Sequence, residues 1–332
     1  MWWWSWTMKL SVHQLESGDP SLELYRISNE YLQLVFLPSV GGRLLSLQIA
    51  GKELLRINPD FFDRKFRALK PRLSWATLDG TFASWANVGG SKTWPAPQGE
   101  SAGQWAGPPD PVLDAGEWTF ESTWLPIEKV QQVIMASPND ARTGLQVKRE
   151  FRIPATGSSF FEHTTFTNTS HRNVRWSLWE VCQIDTFAAR DGATDSAVEV
   201  TVSFNHPPIE LARYAGVVRP TIADGIARVP IEPGVAKFGF PHSTGEIKWR
   251  GPAGTSLVLK TAVDERAEYP DHGSRIEVWA QSPIPYALSE LNGFYPNAWL
   301  VELEVLSPLH TIEPGGCARL DIQWSAHTAG TP

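Results

Sequence analysis

The sequence predicts an all-β protein, built as a large antiparallel sandwich with few short helices. About fifteen short segments rich in Val, Ile, Leu, Phe and Tyr alternate with Gly, Pro and Asn turns, a pattern typical of half-buried strands in large sheets. The 3.6-residue period of amphipathic helices is almost absent, and only 61–69 and 284–291 are weak helical candidates. No repeat of fixed period is visible, which argues against a propeller.

The first strands are predicted as an antiparallel meander. Runs 22–27 and 31–37 are separated by a Ser-Asn-Glu turn, and a Pro-Ser-Val-Gly-Gly turn leads into 43–49. An Ala-Gly turn then leads into 52–55. These turn residues lie between apolar runs of strand length, so neighbouring strands are expected to pair.

The segment 58–111 loses this pattern and carries four tryptophans, Trp75, Trp85, Trp94 and Trp105. Irregular segments of this length are uncommon in compact domains unless they serve a function. Within it, 87–98 reads Asn-Val-Gly-Gly-Ser-Lys-Thr-Trp-Pro-Ala-Pro-Gln. Two glycines permit positive φ or a close approach to a ligand, and two prolines stiffen the exit. Such a loop suits a flat polar ligand such as a sugar, or equally a well-packed structural loop.

Strand alternation returns after residue 117. In 144–153 the residues Leu145, Val147, Phe151 and Ile153 share one face. The other predicted strands are 117–124, 129–135, 159–167, 173–184, 197–204, 225–231, 246–250, 256–262, 274–281, 299–306 and 317–325. No composition shift marks a boundary, so we expect one domain over 8–328, with 1–7 a disordered or non-native extension.

Composition excludes some classes of partner. Lys+Arg is 29 against Asp+Glu 36, a net charge of -7, and no basic run is present, so we expect no nucleic-acid partner. No apolar run reaches the roughly 18 residues of a membrane span. Cys182 and Cys317 are expected to be buried thiols, and no Cys/His spacing indicates zinc. We therefore expect a cytoplasmic protein with a small-molecule substrate, no cofactor and no metal, and leave its oligomeric state open.

Four motifs resemble the galactose mutarotase-like (aldose epimerase) superfamily. They are the meander 29–44 with its Gly-Gly-Arg turn, the 87–98 loop, the Glu-Val-Trp strand within 274–283, and 301–308 followed by Pro-Gly-Gly at 314–316. The 87–98 loop with the Glu-Leu-Glu-Val-Leu-Ser-Pro end resembles most the DUF4380-type branch, whose name carries a fold and no activity. The resemblance implies a β-supersandwich and a sugar substrate.

The resemblance also implies a glutamate base and a histidine acid, and here the chain departs from it. Val88 stands where the first histidine is expected, and the region of the second reads Ser-Leu-Trp-Glu-Val at 177–181. Proton donation to a ring oxygen needs an acid whose pKa lies near the working pH. Neither matched position supplies an imidazole, so the usual mutarotase acid is missing.

Two glutamates near the end of the chain are the candidate base. Glu302 and Glu304 are two apart in a predicted strand, so both leave one face, about 7 Å apart. This arrangement suits a base with a modulating neighbour, or an ordinary outward polar face. Glu180 lies among apolar residues and is either a functional carboxylate of shifted pKa or a buried partner of an arginine such as Arg149.

The remaining candidates are an acid and a set of substrate contacts. Lys92 and His272 are the candidate acids besides Glu180; alternatively, Lys92 binds a substrate anion, or both are solvated surface residues. The expected substrate contacts are Arg72, Trp75, Asn87, Lys92, Trp94, Gln98 and Trp179. The leading hypothesis is an isomerase of the aldose 1-epimerase kind acting on a sugar. The alternatives are a non-catalytic sugar-binding module, or a hydrolase, lyase or isomerase of a non-sugar metabolite.

Overall fold

The computed structural model describes residues 10–75, 84–99, 107–192, 195–291 and 293–329. The predicted extension 1–7 and Trp105 lie outside these residues. In the described residues the chain is almost entirely antiparallel β-structure, as predicted. None of the helices described there is long and apolar enough to cross a membrane.

The strands of the first half of the chain are β1 (Ser11–Leu15), β2 (Leu24–Ser28), β3 (Leu32–Leu37), β4 (Arg43–Ile49), β5 (Lys52–Glu53), β6 (Ser91–Ala96), β7 (Thr119–Leu125), β8 (Val130–Ala136), β9 (Leu145–Pro154), β10 (Ser159–Asn168) and β11 (Val174–Asp185). Those of the second half are β12 (Ala197–Val202), β13 (Ile209–Gly216), β14 (Thr221–Ala223), β15 (Ile226–Pro230), β16 (Gly234–Phe240), β17 (Ser243–Arg250), β18 (Ser256–Lys260), β19 (Ile276–Gln281), β20 (Leu300–Leu306), β21 (His310–Ile312) and β22 (Cys317–His327). The helices are the short α1 (Pro270–Gly273) and the 3-10 turns Arg72–Ser74, Phe187–Gly192, Ser203–Asn205, Pro252–Gly254 and Ser289–Leu291.

These strands form two large sheets. The first has the order β1-β2-β3-β4-β6-β11-β20-β19-β16-β13, with β5 and β21 attached at its side. The second has the order β14-β15-β12-β17-β18-β22-β10-β9-β8-β7. The centre of the first sheet thus joins strands that are far apart in sequence, and β11 pairs with β6 on one side and β20 on the other.

The core lies between the two sheets and follows the alternation of the sequence. In β9 every second residue is buried, including Arg149 among the apolar positions. A single large apolar cluster fills the inter-sheet space, with Trp176 and Trp324 among its largest fully buried side chains. Its burial removes apolar surface from water at about 25 cal/mol per Å², the dominant stabilising contribution for a sandwich.

A second apolar cluster covers the outer face of the first sheet at its β2–β4 end. It joins Val35 and Leu45 of the sheet to Phe61, Phe62 and Val88 of the irregular segment. The meander therefore has both faces buried, which explains its near-continuous hydrophobic runs.

Three details differ from the sequence predictions. Strands β1, β6, β13, β14, β16 and β21 were not predicted. Of these, β6 lies in the 87–98 segment, which was expected to be a loop because its two glycines and two prolines are typical of one. The 61–69 candidate forms no helix, and 284–291 contains only a 3-10 turn. Cys182 is buried as expected, whereas Cys317 is exposed because it begins β22 at the sheet surface.

Candidate functional site

The outer face of the first sheet is polar at its centre, across the adjacent strands β6, β11, β20, β19 and β16. We call this region the floor. Its residues are Lys92, Trp94, Trp179, Gln183, Lys237, Glu277, Trp279, Glu302 and Glu304. They share one face because the strands are in register. Glu304 pairs with Glu277 on one side and with Val181 on the other, and Val181 pairs in turn with Lys92.

A second register row crosses the same face. Lys237 pairs with Trp279, Trp279 pairs with Glu302, and Glu302 pairs with Gln183. Adjacent strands are about 5 Å apart, so the backbone positions of Lys237 and Glu302 are separated by about 10 Å with Trp279 between them. The indole of Trp279 is half-buried and its Nε1 donates to Gln281 Oε1 at 3.2 Å. The backbone of Trp279 thus lies between those of Lys237 and Glu302, while the Nζ of Lys237 extends to the neighbouring pair Glu277 and Glu304.

Glu302 is the carboxylate of the floor that solvent reaches best. Its side chain is 14% exposed, against 0% for Glu277 and 1% for Glu304. The Nε2 of Gln183 donates to Glu302 Oε1 at 2.6 Å, which holds one oxygen of the carboxylate. A ligand on this face can therefore reach Glu302 directly.

Lys92 lies beneath Glu302 and is fully buried. Its Nζ is 3.6 Å from Glu302 Oε1 and 4.6 Å from the ring centre of Trp94, with the ring of Trp85 at 5.6 Å. Within the described residues this Nζ makes no hydrogen bond. Burial lowers the pKa of Lys92, and the charge of Glu302 opposes that shift. The ammonium is held by an ion pair and two aromatic faces.

Lys237 is the solvent-reachable cation of the floor, with its side chain 18% exposed. Its Nζ is 2.6 Å from Glu277 Oε2 and 3.1 Å from Glu304 Oε2, and 4.4 Å from the ring centre of Trp179. Trp179 Nε1 donates to Glu304 Oε2 at 2.7 Å. Lys237 is therefore anchored by two carboxylates that solvent does not reach.

The pKa values in this cluster are strongly coupled. Burial raises the pKa of Glu277 well above its ordinary value, although Lys237 opposes it. Burial also raises the pKa of Glu304, again against Lys237. For Lys237 burial alone would lower the pKa, but Glu277 and Glu304 together outweigh burial and raise it. Lys237 therefore stays charged, and the carboxyl pair retains a proton to higher pH than free glutamate.

Aromatic side chains surround the floor. Trp94 packs edge-on against Trp179 at 5.6 Å between ring centres, and Trp279 lies 6.5 Å from Phe294. The ring is completed by Trp85 with Trp94 at 6.1 Å, Trp85 with Phe294 at 6.4 Å, and Tyr214 with Trp279 at 5.8 Å. Aromatic faces of this kind pack against the C–H faces of sugars and exclude water.

The glycines of the 87–98 loop are needed for close packing of the backbone. Gly89 has φ +95°, and a Cβ there would lie 2.0 Å from the carbonyl oxygen of Arg56. The buried Arg43 donates from Nη1 to the carbonyl of Gly89 at 3.2 Å and pairs with Asp114. Val88 packs into the second apolar cluster. These contacts hold the strand that begins with Ser91 against the sheet and so position Lys92.

Glu180 lies on the opposite face of β11, between the two sheets. Arg149, from β9 of the second sheet, is 3.2 Å from Glu180 and donates to Glu162 at 2.8 Å. Thr93 Oγ1 also donates to Glu180, at 2.6 Å, as does Ser91. Burial raises the pKa of Glu180 to about 8 even though Arg149 opposes it. Of the two interpretations of Glu180, this placement favours the buried partner of Arg149 over a group that meets a substrate.

The other predicted residues divide between the floor and its surroundings. Arg72 donates to the carbonyls of Ser21 and Ala115, at 3.2 and 2.9 Å, and Trp75 packs edge-on against Phe61. Both lie in the irregular segment 58–111. Neither side chain is one of the residues that form the floor.

Three more predicted residues lie near the floor's edges. The carbonyl of Asn87 accepts from Asn58 Nδ2 at 2.7 Å, and Gln98 packs against Gly107. His272 is exposed, in a turn whose Asp271 raises the pKa of Lys237 and Glu277. That turn is therefore close to the Lys237 end of the floor.

Sequence reasoning assigned no role to Lys237, Glu277, Trp279 or Gln183. The signal for Lys237 was available, because it is the only charge in the apolar run 234–240. Glu277 and Trp279 belong to the Glu-Val-Trp motif within 274–283. That motif predicts a strand but does not show which face of the sheet its side chains lie on. Only the register of β16, β19 and β20 shows that these residues meet.

Comparison with known proteins supports the fold. No protein-family profile matches the chain, and no curated protein matches it. Among solved structures, a galactose mutarotase-like protein from Clostridium acetobutylicum superimposes with a TM-score of 0.56 at 10% identity, covering 96% of this chain and 99% of that one. A protein from Salmonella typhimurium named as a candidate mutarotase gives 0.55 at 12% identity, covering 96% and 94%.

A TPR-domain containing protein from Parabacteroides distasonis gives a TM-score of 0.58 at 11% identity. This match covers 96% of the present chain and 53% of the other, so the chain spans about half the length of that protein. At identities this low the similarity describes the fold alone. The chain has a galactose mutarotase-like fold.

Proposed function

We propose that the protein binds a sugar or sugar derivative over Trp279 and carries out proton transfer on it, of the epimerase or mutarotase-like kind. The observation that carries this proposal is the register row in which Trp279 lies between Lys237 and Glu302. A pyranose ring stacked on the indole would have the Glu302 carboxylate at one edge, and the Lys237 ammonium, held by Glu277 and Glu304, in the neighbouring register row. A base and a cation that stabilises developing negative charge are thus both next to the ring.

Glu302 is assigned as the base. It is the most exposed carboxylate of the floor, and its second oxygen is free to accept a proton from a sugar hydroxyl. Lys92 beneath it is too deeply buried to touch a substrate, and its Nζ lies 3.6 Å from Glu302 Oε1. Lys92 is therefore a positioning residue, and the earlier alternative of Lys92 as the acid is not part of the proposal.

Lys237 is assigned to bind the ring oxygen by a hydrogen bond and to remain an ammonium, because its pKa is raised. Two of its three N–H groups face Glu277 and Glu304, and the exposed part of the side chain leaves the third for the ligand. As negative charge develops on the ring oxygen, the ammonium stabilises it. On ring opening the ring oxygen takes its proton from water, and on closure it returns a proton to water while Glu302 protonates the carbonyl oxygen.

A non-catalytic sugar-binding protein is the second candidate, and one observation favours it. Val88 is in an apolar cluster and Trp179 packs edge-on against Trp94, so neither matched region brings an imidazole to the described floor. Without an acid of suitable pKa at the ring oxygen, the aromatic site would bind a sugar without converting it.

The experiment is calorimetric titration with a panel of aldoses, followed by exchange NMR between the α and β anomers of each binder. The proposal predicts binding and an exchange rate that increases with protein concentration. Binding without faster exchange supports the second candidate. If no sugar binds, both candidates are wrong.

A further inference from the structure

The floor has a buried acceptor without a partner in the part of the chain that the structure describes. Within the described residues, Gln183 Oε1 is buried and accepts no hydrogen bond. Gln183 donates from Nε2 to Glu302, and this hydrogen bond fixes the orientation of the amide. The Oε1 of Gln183 is therefore the amide atom without a partner among these residues. An unpaired buried acceptor destabilises the structure, so a ligand that covers the floor is expected to supply a donor.

The cations on and beside the floor already have carboxylate neighbours. These are Lys92 with Glu302, Lys237 with Glu277 and Glu304, Arg43 with Asp114, and Arg56 with Asp60 and Asp185. Asp271 adds a further negative charge near Lys237. Segments 76–83 and 100–106, outside the described residues, contain Asp79 and Glu100 and neither lysine nor arginine. A phosphate or carboxylate group on the ligand would be repelled by these carboxylates. Each of the cations named above already has a carboxylate neighbour, and the two segments supply no further lysine or arginine.

We propose that the ligand is an amino sugar: a polyol with a free primary amine and no anionic group. This inference rests on the proposed function. The ammonium would lie at the Gln183 end of the floor, where Gln183 Oε1 accepts from it. The sugar ring would remain over Trp279, which leaves the free oxygen of Glu302 to act on a sugar hydroxyl.

The test is a calorimetric titration at pH 7 with matched forms of glucose and galactose: the parent hexose, the 2-amino-2-deoxy form, its N-acetyl derivative, the 6-phosphate and the uronic acid. We expect one amino form to bind at least about tenfold more tightly than its parent and its N-acetyl derivative. We expect no binding of the phosphate or the uronic acid at millimolar concentration. In Gln183→Met the ratio between amino form and parent should fall to about one, with folding checked by circular dichroism.

The outcomes separate this inference from the function on which it rests. If the parent hexose, the phosphate or the uronic acid binds as tightly as the amino form, the amino-sugar inference is wrong and the proposed function stands. If Gln183→Met keeps the full preference, the ammonium does not bind where we place it. If no member of the panel binds, both the inference and the proposed function fail.

Discussion

Lys237 and Glu302 lie in register on opposite sides of Trp279 and are the most exposed charged side chains of the floor. Each is held by groups that solvent barely reaches: Lys237 by Glu277 and Glu304, and Glu302 by Gln183 with Lys92 beneath. The Nζ of Lys237 lies with Glu277 and Glu304, one register row away from Glu302. A ligand that fits between Lys237 and Glu302 can contact both.

Replacing Lys237 should strongly destabilise the fold. Lys237→Met leaves Glu277 and Glu304 buried without a cation, and losing one partner of a buried ion pair costs about 3–5 kcal/mol. Urea unfolding measures this loss, with Lys260→Met, at an exposed lysine, as the control expected within about 0.5 kcal/mol of wild type. Adding Glu277→Gln to Lys237→Met should recover part of the stability. Strictly additive losses in the double variant would show that the two residues are not coupled.

Replacing Lys92 should affect activity and leave stability intact. Lys92→Met fills the same space with an apolar side chain and removes a buried Nζ that makes no hydrogen bond to a described residue. Glu302, the other member of the ion pair, has a partly exposed side chain, so water can solvate its charge once Lys92 is replaced. We expect an unchanged or higher unfolding midpoint, and a pH–rate profile whose acidic limb moves to higher pH. An unmoved limb would mean that Lys92 does not act on the base.

Glu180 should make the protein less stable as pH rises through neutrality. Its pKa is raised from 4.5 to about 8, so between these values the native state holds a proton that the unfolded state has released. Stability therefore falls as pH rises across this window. Unfolding free energies measured from pH 5 to pH 8 should fall more steeply in wild type than in Glu180→Gln. Parallel curves would contradict the assignment, and Glu150→Gln, on a partly exposed strand position, is the matched control.

A comparison of Gly89 with Gly99 distinguishes two reasons for a glycine: a positive φ, and a close approach to another part of the backbone. Both have positive φ, +95° and +91°, but a Cβ at Gly89 would meet the Arg56 carbonyl at 2.0 Å, whereas one at Gly99 has nothing within 4 Å. Gly99→Ala should cost about 1 kcal/mol from backbone conformation alone, and Gly89→Ala substantially more. Differential scanning calorimetry measures both. Equal losses would mean that the close approach to Arg56 does not matter.

Local patterning predicted the fold class and half of the site. Alternation placed Glu302 and Glu304 on one face, and the resemblance pointed to that strand. The rest depends on which strands become neighbours: β16 and β20 are separated by some sixty residues of chain, and only the strand order brings Lys237 to Glu304. The same limit applies to Glu180. Alternation predicts which face of its strand it lies on, but not that its partner is Arg149 of the other sheet.

The central claim is that Glu302 takes a proton from a sugar hydroxyl, and one measurement tests it most directly. Anomeric exchange of a bound sugar is followed by NMR for wild type, Glu302→Gln and the control Glu246→Gln, which lies on β17 of the second sheet. Our proposal predicts that Glu302→Gln still binds the sugar but exchanges it at least about 100-fold more slowly, because general base catalysis contributes that much. Glu246→Gln should match wild type. An exchange rate in Glu302→Gln equal to that of wild type would contradict the proposal.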